Sequence, residues 1–588
     1  MWPVSAMRDR PARLPALRPA SRPALWPARR LSRLLALAVV PLVLLTACLS
    51  VPFSSDVQSG GDIDTGVEVD FEFLPSGPTQ DAEPDSILRG FLAATTAAQD
   101  NYRVARSYLA AGVTDVWNPY ASTLVRGREG TIERVDDTTL SYSAPIVASV
   151  DEVGRYSGAV GAATQTLAPF RFVQEQGQWR IAELADGIVI SQQAFSSSFS
   201  QHTLFYWDAA FRTLVPDLRW FPSRSEVTTR IVRALLQPPS SWLDQGATAS
   251  AIPEGTQLAL APVTVVSGLA QIDLTNELLS LTDRERQRVR LQLAASLRAV
   301  RGVVGVQITV DQSVVNIPEW TAGSPDVNPQ VDPRPLISSE GTFGFATGSE
   351  LEALGAMSSR LLALAATAVT LGPSRTLAAA LTPQGVWEVR SGGAEPALLD
   401  QRAGLIAPSI DGYQFVWSAS GQASGQIHAI ELNGVVHVVD VKLPDDARIV
   451  SLTISRDDAR VLLMLDGSGG PRLLYGAIIR DEASGVPVRL GELRDLPLTG
   501  DTAVDATWVD EVRVASITRT EGQTLVELHE LGGSSRSLGL PPEATQIVGG
   551  NAGVDGIRVL GVEGTVFGPR GSGWQSTGLR ASFLGTQQ

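Results

Sequence analysis

The 588-residue sequence predicts a multidomain fold: an α+β N-terminal domain over 84–198, a second α+β domain over 199–320, and an all-β propeller of five or six blades over 340–588. Three observations predict this. Twice before residue 320, apolar residues at helical spacing give way to extended runs. No long helical pattern follows Ser374. Beyond it, short β-runs alternate with Gly/Asp turns, and two of them open with the same S-x-D-[GD] pattern, from Ser409 and Ser455, 46 residues apart. A chain this long exceeds one core. Its 44% hydrophobic and 19% charged content is ordinary for globular protein.

The N-terminus comes first. Residues 1–47 hold eight arginines and one acid, Asp9, and the run LLALAVVPLVLLTA from Leu34 to Ala47 is uncharged. Basic residues before a short apolar run read as a signal peptide, excluded from fold reasoning. The chain has one cysteine, Cys48, so no intramolecular disulfide can form. Leu45, Thr46 and Ala47 precede it, and this stretch resembles a bacterial lipobox. That resemblance implies alkylation of the Cys48 thiol with diacylglycerol, cleavage before it, and membrane attachment through several acyl chains. A buried core cysteine fits the flanking run poorly. An uncleaved membrane anchor stays open, because the uncharged run reaches Ser55 and about 20 residues span a bilayer. Both anchored readings place the body outside, since arginines stay cytoplasmic.

Residues 48–83 read as a flexible tether, rich in Ser, Gly, Asp, Glu and Pro. The first domain follows. Ile87, Leu88, Phe91 and Leu92 recur at helical spacing, and a second helix is expected over Tyr102–Ala110. FRFVQEQGQWRIAEL (Phe170–Leu184) reads as two strands around Gly177. In the second domain, TLFYWD is a strand and LVPDLRWFP follows it. Val227, Ile231, Ala234 and Leu235 form one helical face, ending before Pro238-Pro239. Val263–Thr275 reads as a hairpin. Thr282 and Glu285 form a capping box for a helix with the stripe Val289, Leu293, Leu297 and Val300, and Val304–Val310 closes the unit. The Pro/Asp-rich stretch within 321–339 reads as a linker. For the last domain, the 46-residue spacing matches the propeller period, and a pair of β-sandwiches is the alternative.

LVPDLRWFP, ALLQPP (Ala234–Pro239), IPEGTQL (Ile252–Leu258) and LAQIDLT (Leu269–Thr275) resemble a GerMN domain. ARSYL…VWNPY and DGIVISQQAFSSSFSQHTLFYWD resemble the N-terminal part of the LpqB family of actinobacterial lipoproteins. That family carries a C-terminal propeller, in agreement with the period. The resemblance further implies a partner: the extracytoplasmic domain of a sensor histidine kinase of the MtrA–MtrB two-component system, with effects on cell-wall homeostasis and division.

Removing residues 1–47 from the totals of 47 basic and 62 acidic residues leaves 39 and 61, a net charge of −22. So acidic a body repels nucleic acid over a Debye length of roughly 10 Å, and no nucleic-acid partner is expected. There is no G-x-S-x-G, H-E-x-x-H or Walker motif, and no catalytic, metal or cofactor site is assigned. The histidines His202, His428, His437 and His529 lack a sequence-adjacent nucleophile; His428 and His437 read as half-exposed strand positions. Asp273 and Asp311 read as turn formers at strand ends. Trp207, Trp220 and Trp242 read either as a binding surface or as core and rim. The expectation is a non-enzymatic, lipid-anchored envelope protein that binds and modulates a sensor kinase. The alternatives are an envelope scaffold, a glycan- or peptide-binding protein, or a hydrolase with its site in the propeller channel.

Overall fold

The structure, a computed structural model, describes residues 75–588 apart from 224–225, 321–322, 326, 423–425 and 551–552. Leu45, Thr46, Ala47 and Cys48 therefore lie outside the described residues. No helix among the described residues is long and apolar enough to cross a membrane.

The first domain packs a seven-stranded sheet against α1 (Pro84–Ala94). Pro84 opens the helix, where its missing N–H leaves no intrahelical bond unmade. Ile87, Leu88, Phe91 and Ala94 form the buried face, and Phe91 meets Trp117 and Phe170 edge-on at 5.3 and 6.3 Å. β1 (Ser122–Arg126) pairs antiparallel with β2 (Thr139–Asp151) and parallel with β3 (Ile188–Ser191). β2 buries every second residue from Leu140 to Val150, as a strand with one covered face must.

The helix expected over Tyr102–Ala110 is a single turn, Arg103–Arg106. Asp100, Asn101 and Tyr102 take left-handed φ values of 46°, 55° and 59°, which stops the turn from extending backwards. At its other end the sheet captures the chain. Ala110 N–H donates to the Ile181 carbonyl at 2.8 Å, and Ile181 N–H to the Tyr108 carbonyl at 3.0 Å.

The second domain has two small sheets. β4 (Phe199–Asp208) and β5 (Leu214–Pro222) form an antiparallel hairpin, followed by α2 (Val227–Leu235). β6 (Leu269–Leu274) and β7 (Gly305–Val310) run parallel, connected through α3 (Asp283–Leu297), because parallel neighbours need a crossover. The capping box is present: Thr282 Oγ1 accepts from Glu285 N–H, and Glu285 Oε2 accepts from Thr282 N–H at 2.8 Å. After β7, Asp311 and Gln312 both take positive φ, the geometry of a two-residue hairpin turn. Asp273 is no turn former. It is buried within β6 and accepts from Thr309 Oγ1 at 2.6 Å and from Gln312 N–H at 3.0 Å, so it ties down the following hairpin.

The rest is a six-bladed propeller. Each blade is a four-stranded antiparallel unit, the third with Arg494–Leu496 as a fifth strand, and the inner strands are Ala368–Leu371, Ser409–Ile410, Arg448–Ile454, Thr502–Trp508, Ala544–Val548 and Phe583–Gln587. These strands neighbour one another around a closed ring. The last blade is composite. Phe583–Gln587 supplies its inner strand, and Leu336–Ser339, Thr342–Thr347 and Glu350–Ala353 supply the other three. A strand of this blade therefore begins at Leu336, inside the stretch read as a linker.

Candidate functional site

The three domains meet at Trp220, in β5. Its backbone N–H donates to the Gly154 carbonyl of the first domain at 2.8 Å. Its ring lies 4.9 Å from Phe195 and 5.9 Å from Tyr156, and its indole N–H donates to the Gly532 carbonyl of the propeller at 2.9 Å. Gly532 has φ +87°, and a Cβ there would meet the Leu218 carbonyl of β5 at 3.2 Å; the close approach of blade to hairpin requires glycine. Beside this point, the fully buried Arg219 pairs with Asp217 and reaches the Val153 carbonyl at 3.1 Å. Asp217 also accepts from the Ser240 backbone and hydroxyl, both at 2.8 Å. A buried charge pair needs such extra bonds to offset its desolvation.

Trp242 is buried with its ring edge-on to Tyr475 of the propeller at 4.8 Å. Val215, Leu243 and Ala247 share that cluster with Leu462, Met464 and Leu531. Trp207 is fully buried. The three tryptophans thus form no free surface; Trp220 and Trp242 fasten domains together. The apolar continuity from hairpin to blades is a core, which resists independent domain motion.

The propeller repeat is architectural. Asp411 accepts from Phe415 N–H and Trp417 Nε1–H, both at 2.9 Å, and from Arg480 at 2.7 Å. At the equivalent place one blade on, Asp457 accepts from Ser455 Oγ at 2.7 Å and pairs with Arg460. Asp458 then crosses between blades, accepting from Gly412 N–H at 2.6 Å. Burial first, then the neighbouring Asp411, pushes the Asp458 carboxyl up to about 7. Asp505, on an inner strand, is pushed up to about 6 by burial while accepting from Ile547 N–H at 2.9 Å. These are acids of the scaffold, each held by backbone or arginine.

The histidines are likewise placed in strands. His529 sits between Ser516 and Ser535 at 2.9 and 2.8 Å, and burial pulls its imidazole down to about 4. His437 bonds Glu431 at 2.7 Å, and His428 faces Asp400 at 4.0 Å. Among the described residues, no three His, Cys, Asp or Glu are grouped to hold a metal ion.

Two clefts remain. One of 310 Å³ lies between the second domain and the propeller, walled in part by Asp208, Arg212, Tyr413, Asp458 and Arg480. The other, a 920 Å³ groove between the first and second domains, runs past Asn101, Asn118, Tyr120, Arg230, Arg233 and Gln257. Domain boundaries are a favoured place for ligand sites of this size. Arg230 and Arg233 project from the polar side of α2. Only the apolar side of that helix is legible as structural in the sequence, and Tyr120, which completes the site, lies more than a hundred residues upstream in another domain.

The comparisons with known proteins cover the same three regions. A family model described as "Lipoprotein LpqB, N-terminal domain" matches residues 77–196, one described as "Sporulation and spore germination" matches 203–316, and one described as "Lipoprotein LpqB beta-propeller domain" matches 347–578. A lipoprotein LpqB of Cutibacterium acnes is 24% identical over 84% of this chain and 88% of its own length. Another, from Streptomyces coelicolor, is 25% identical over 88% of this chain and 91% of its own. Among solved structures, TolB from Acinetobacter baumannii is 11% identical with a TM-score of 0.31, covering 66% of this chain and 80% of that one.

Proposed function

The chain belongs to the LpqB family of membrane-associated lipoproteins, and on that premise we propose that it is anchored by lipid on Cys48 at the extracytoplasmic face. There it binds the extracytoplasmic domain of a two-component sensor kinase without catalysing a reaction. The observation that carries this reading is the fastening of three domains through Trp220. A body joined in this way presents a fixed surface of large area, with an open groove beside the junction, which suits recognition of a folded partner. Preorganisation lowers the cost of association.

Such a protein acts on signalling only through a difference in affinity. If it binds one kinase conformation more tightly than the other, the equilibrium shifts by that ratio and no more. The lipid anchor keeps it in the same membrane as the kinase, which raises the effective concentration.

In-cell crosslinking of the affinity-tagged lipoprotein, with partners identified by mass spectrometry and Cys48→Ala as the unanchored control, tests this directly. Crosslinks to a sensor kinase's extracytoplasmic domain, lost or reduced in the control, are expected. Recovery of wall enzymes or glycan fragments without any kinase would overturn the reading.

A further inference from the structure

α2 buries Ile231, Val232, Ala234 and Leu235 in the second domain. Arg230 and Arg233, three residues apart and so on neighbouring positions of the helix, line the groove instead. Arg230 stacks on the Tyr120 ring of the first domain, with its guanidinium carbon 3.6 Å from the ring centroid. Its Nε is buried without a hydrogen-bond partner. Neither Arg230 nor Arg233 has an ion pair with a carboxylate among the described residues. Nearby Arg155 shows the contrast: it is committed to Asp151 and to the Pro238 and Pro239 carbonyls.

A guanidinium stacked on an aromatic ring is fixed in plane while the donors along its edge stay available, the arrangement that takes an oxyanion in bidentate fashion. The anion has to be an isolated one. Asp100, Glu152 and Glu226 also line the groove, so carboxylates outnumber guanidinium groups. A polyanion entering there meets repulsion over most of its length. A segment with one carboxylate between basic side chains meets complementary charge throughout. The side-chain amides of Asn118 and Gln257 along the walls suit the peptide groups of an extended chain.

We propose that this groove docks an extended segment of a partner protein, in which a single carboxylate flanked by basic residues enters between Arg230 and Arg233. The inference rests on the reading of the chain as a partner-binding protein, and it fixes the chemistry of the contact.

The test uses the full-length lipoprotein in detergent, applied to an array of short overlapping peptides that tile the extracytoplasmic segments of the host's envelope proteins. Bound peptides are expected to share a carboxylate. Arg233→Gln, which is exposed and outside every core, should weaken their binding by about tenfold, and Arg230→Gln by at least as much. Replacing the peptide carboxylate by its amide should cost the same and add nothing in either variant, the signature of a direct pair. Thermal unfolding of Arg233→Gln at the wild-type temperature rules out a folding defect. Absence of bound peptides, or binding indifferent to both arginines, overturns the inference. If the charge-dependent peptides come from proteins other than a kinase, the inference stands and the kinase reading falls. If kinase crosslinks in cells survive Arg230→Gln and Arg233→Gln unchanged and no peptide binding depends on either arginine, the kinase reading stands and the inference falls.

Discussion

Trp220 of the second domain donates its indole N–H to the Gly532 carbonyl of the propeller at 2.9 Å while its ring rests 4.9 Å from Phe195 of the first. One side chain therefore closes a three-way junction. Trp220→Ala should destabilise the protein by about 3–5 kcal/mol, the usual cost of removing a packed aromatic. It should also split a single thermal transition into separable ones, because the first domain loses its packing against Trp220 while the second domain and the propeller keep the apolar core around Trp242. Differential scanning calorimetry distinguishes this from uniform weakening, which would leave one transition.

Asp411 holds three donors: Phe415 N–H and the Trp417 indole of its own blade, and Arg480 of the next blade. Asp411→Ala leaves a buried guanidinium without its counter-charge, so a loss of about 3–5 kcal/mol is expected. Asp411→Asn keeps the shape but not the charge and should recover part of it. Urea unfolding at neutral pH measures both, and equal losses would show that the charge is immaterial.

Asp458 sets a pH dependence of stability. Its carboxyl is raised in the folded state to about 7 from 3.8, so between those values the folded form binds the proton and the unfolded form releases it. Its contribution is therefore lost as pH rises from about 4 towards 7. Asp458→Asn removes the slope and still tolerates the left-handed φ of 63° found there. It should stabilise the protein at pH 8 by an amount on the order of 1–2 kcal/mol and change little at pH 4. Unfolding free energies at the two pH values decide it.

His529 contributes with the opposite sign. Burial lowers its imidazole from 6.5 to about 4, so the unfolded chain takes up a proton first and stability is lost as pH falls from 6.5 to 4. His529→Gln should flatten the acid limb of the stability profile. Retention of the full slope in that variant would assign it to other groups.

Cys48→Ala should move the protein from the membrane to the soluble fraction, since several acyl chains are needed for a lasting anchor. Fractionation after alkaline washing checks this. Unchanged membrane association in the variant would favour an uncleaved apolar anchor instead.

The sequence carries the propeller well because its signal is local. Within the contiguous blades an inner strand leads into a tight turn, and the pattern from Ser409 repeats at Ser455, where Asp411 and Asp457 fill matching roles. The capping box at Thr282 is legible for the same reason, being four residues long. Tyr102–Ala110 misleads because a strand far along the chain takes its backbone bonds, and helical spacing says nothing of that competitor. Asp273 misleads because its partners come from elsewhere in the chain, Thr309 from another strand and Gln312 from the turn after it. The groove is the least legible of all. Arg230 and Arg233 look like the solvated side of an amphipathic helix until folding sets Tyr120 against them.

The composite blade has a consequence for biogenesis. Ser582 bonds the Ser338 carbonyl across a separation of 244 residues, so the strand at Leu336–Ser339 is synthesised long before Phe583–Gln587 arrives to cover it. In that interval its flank remains an open template for wrong pairing. Folding of this protein should therefore depend on a holding chaperone, and its yield should fall when chain elongation slows.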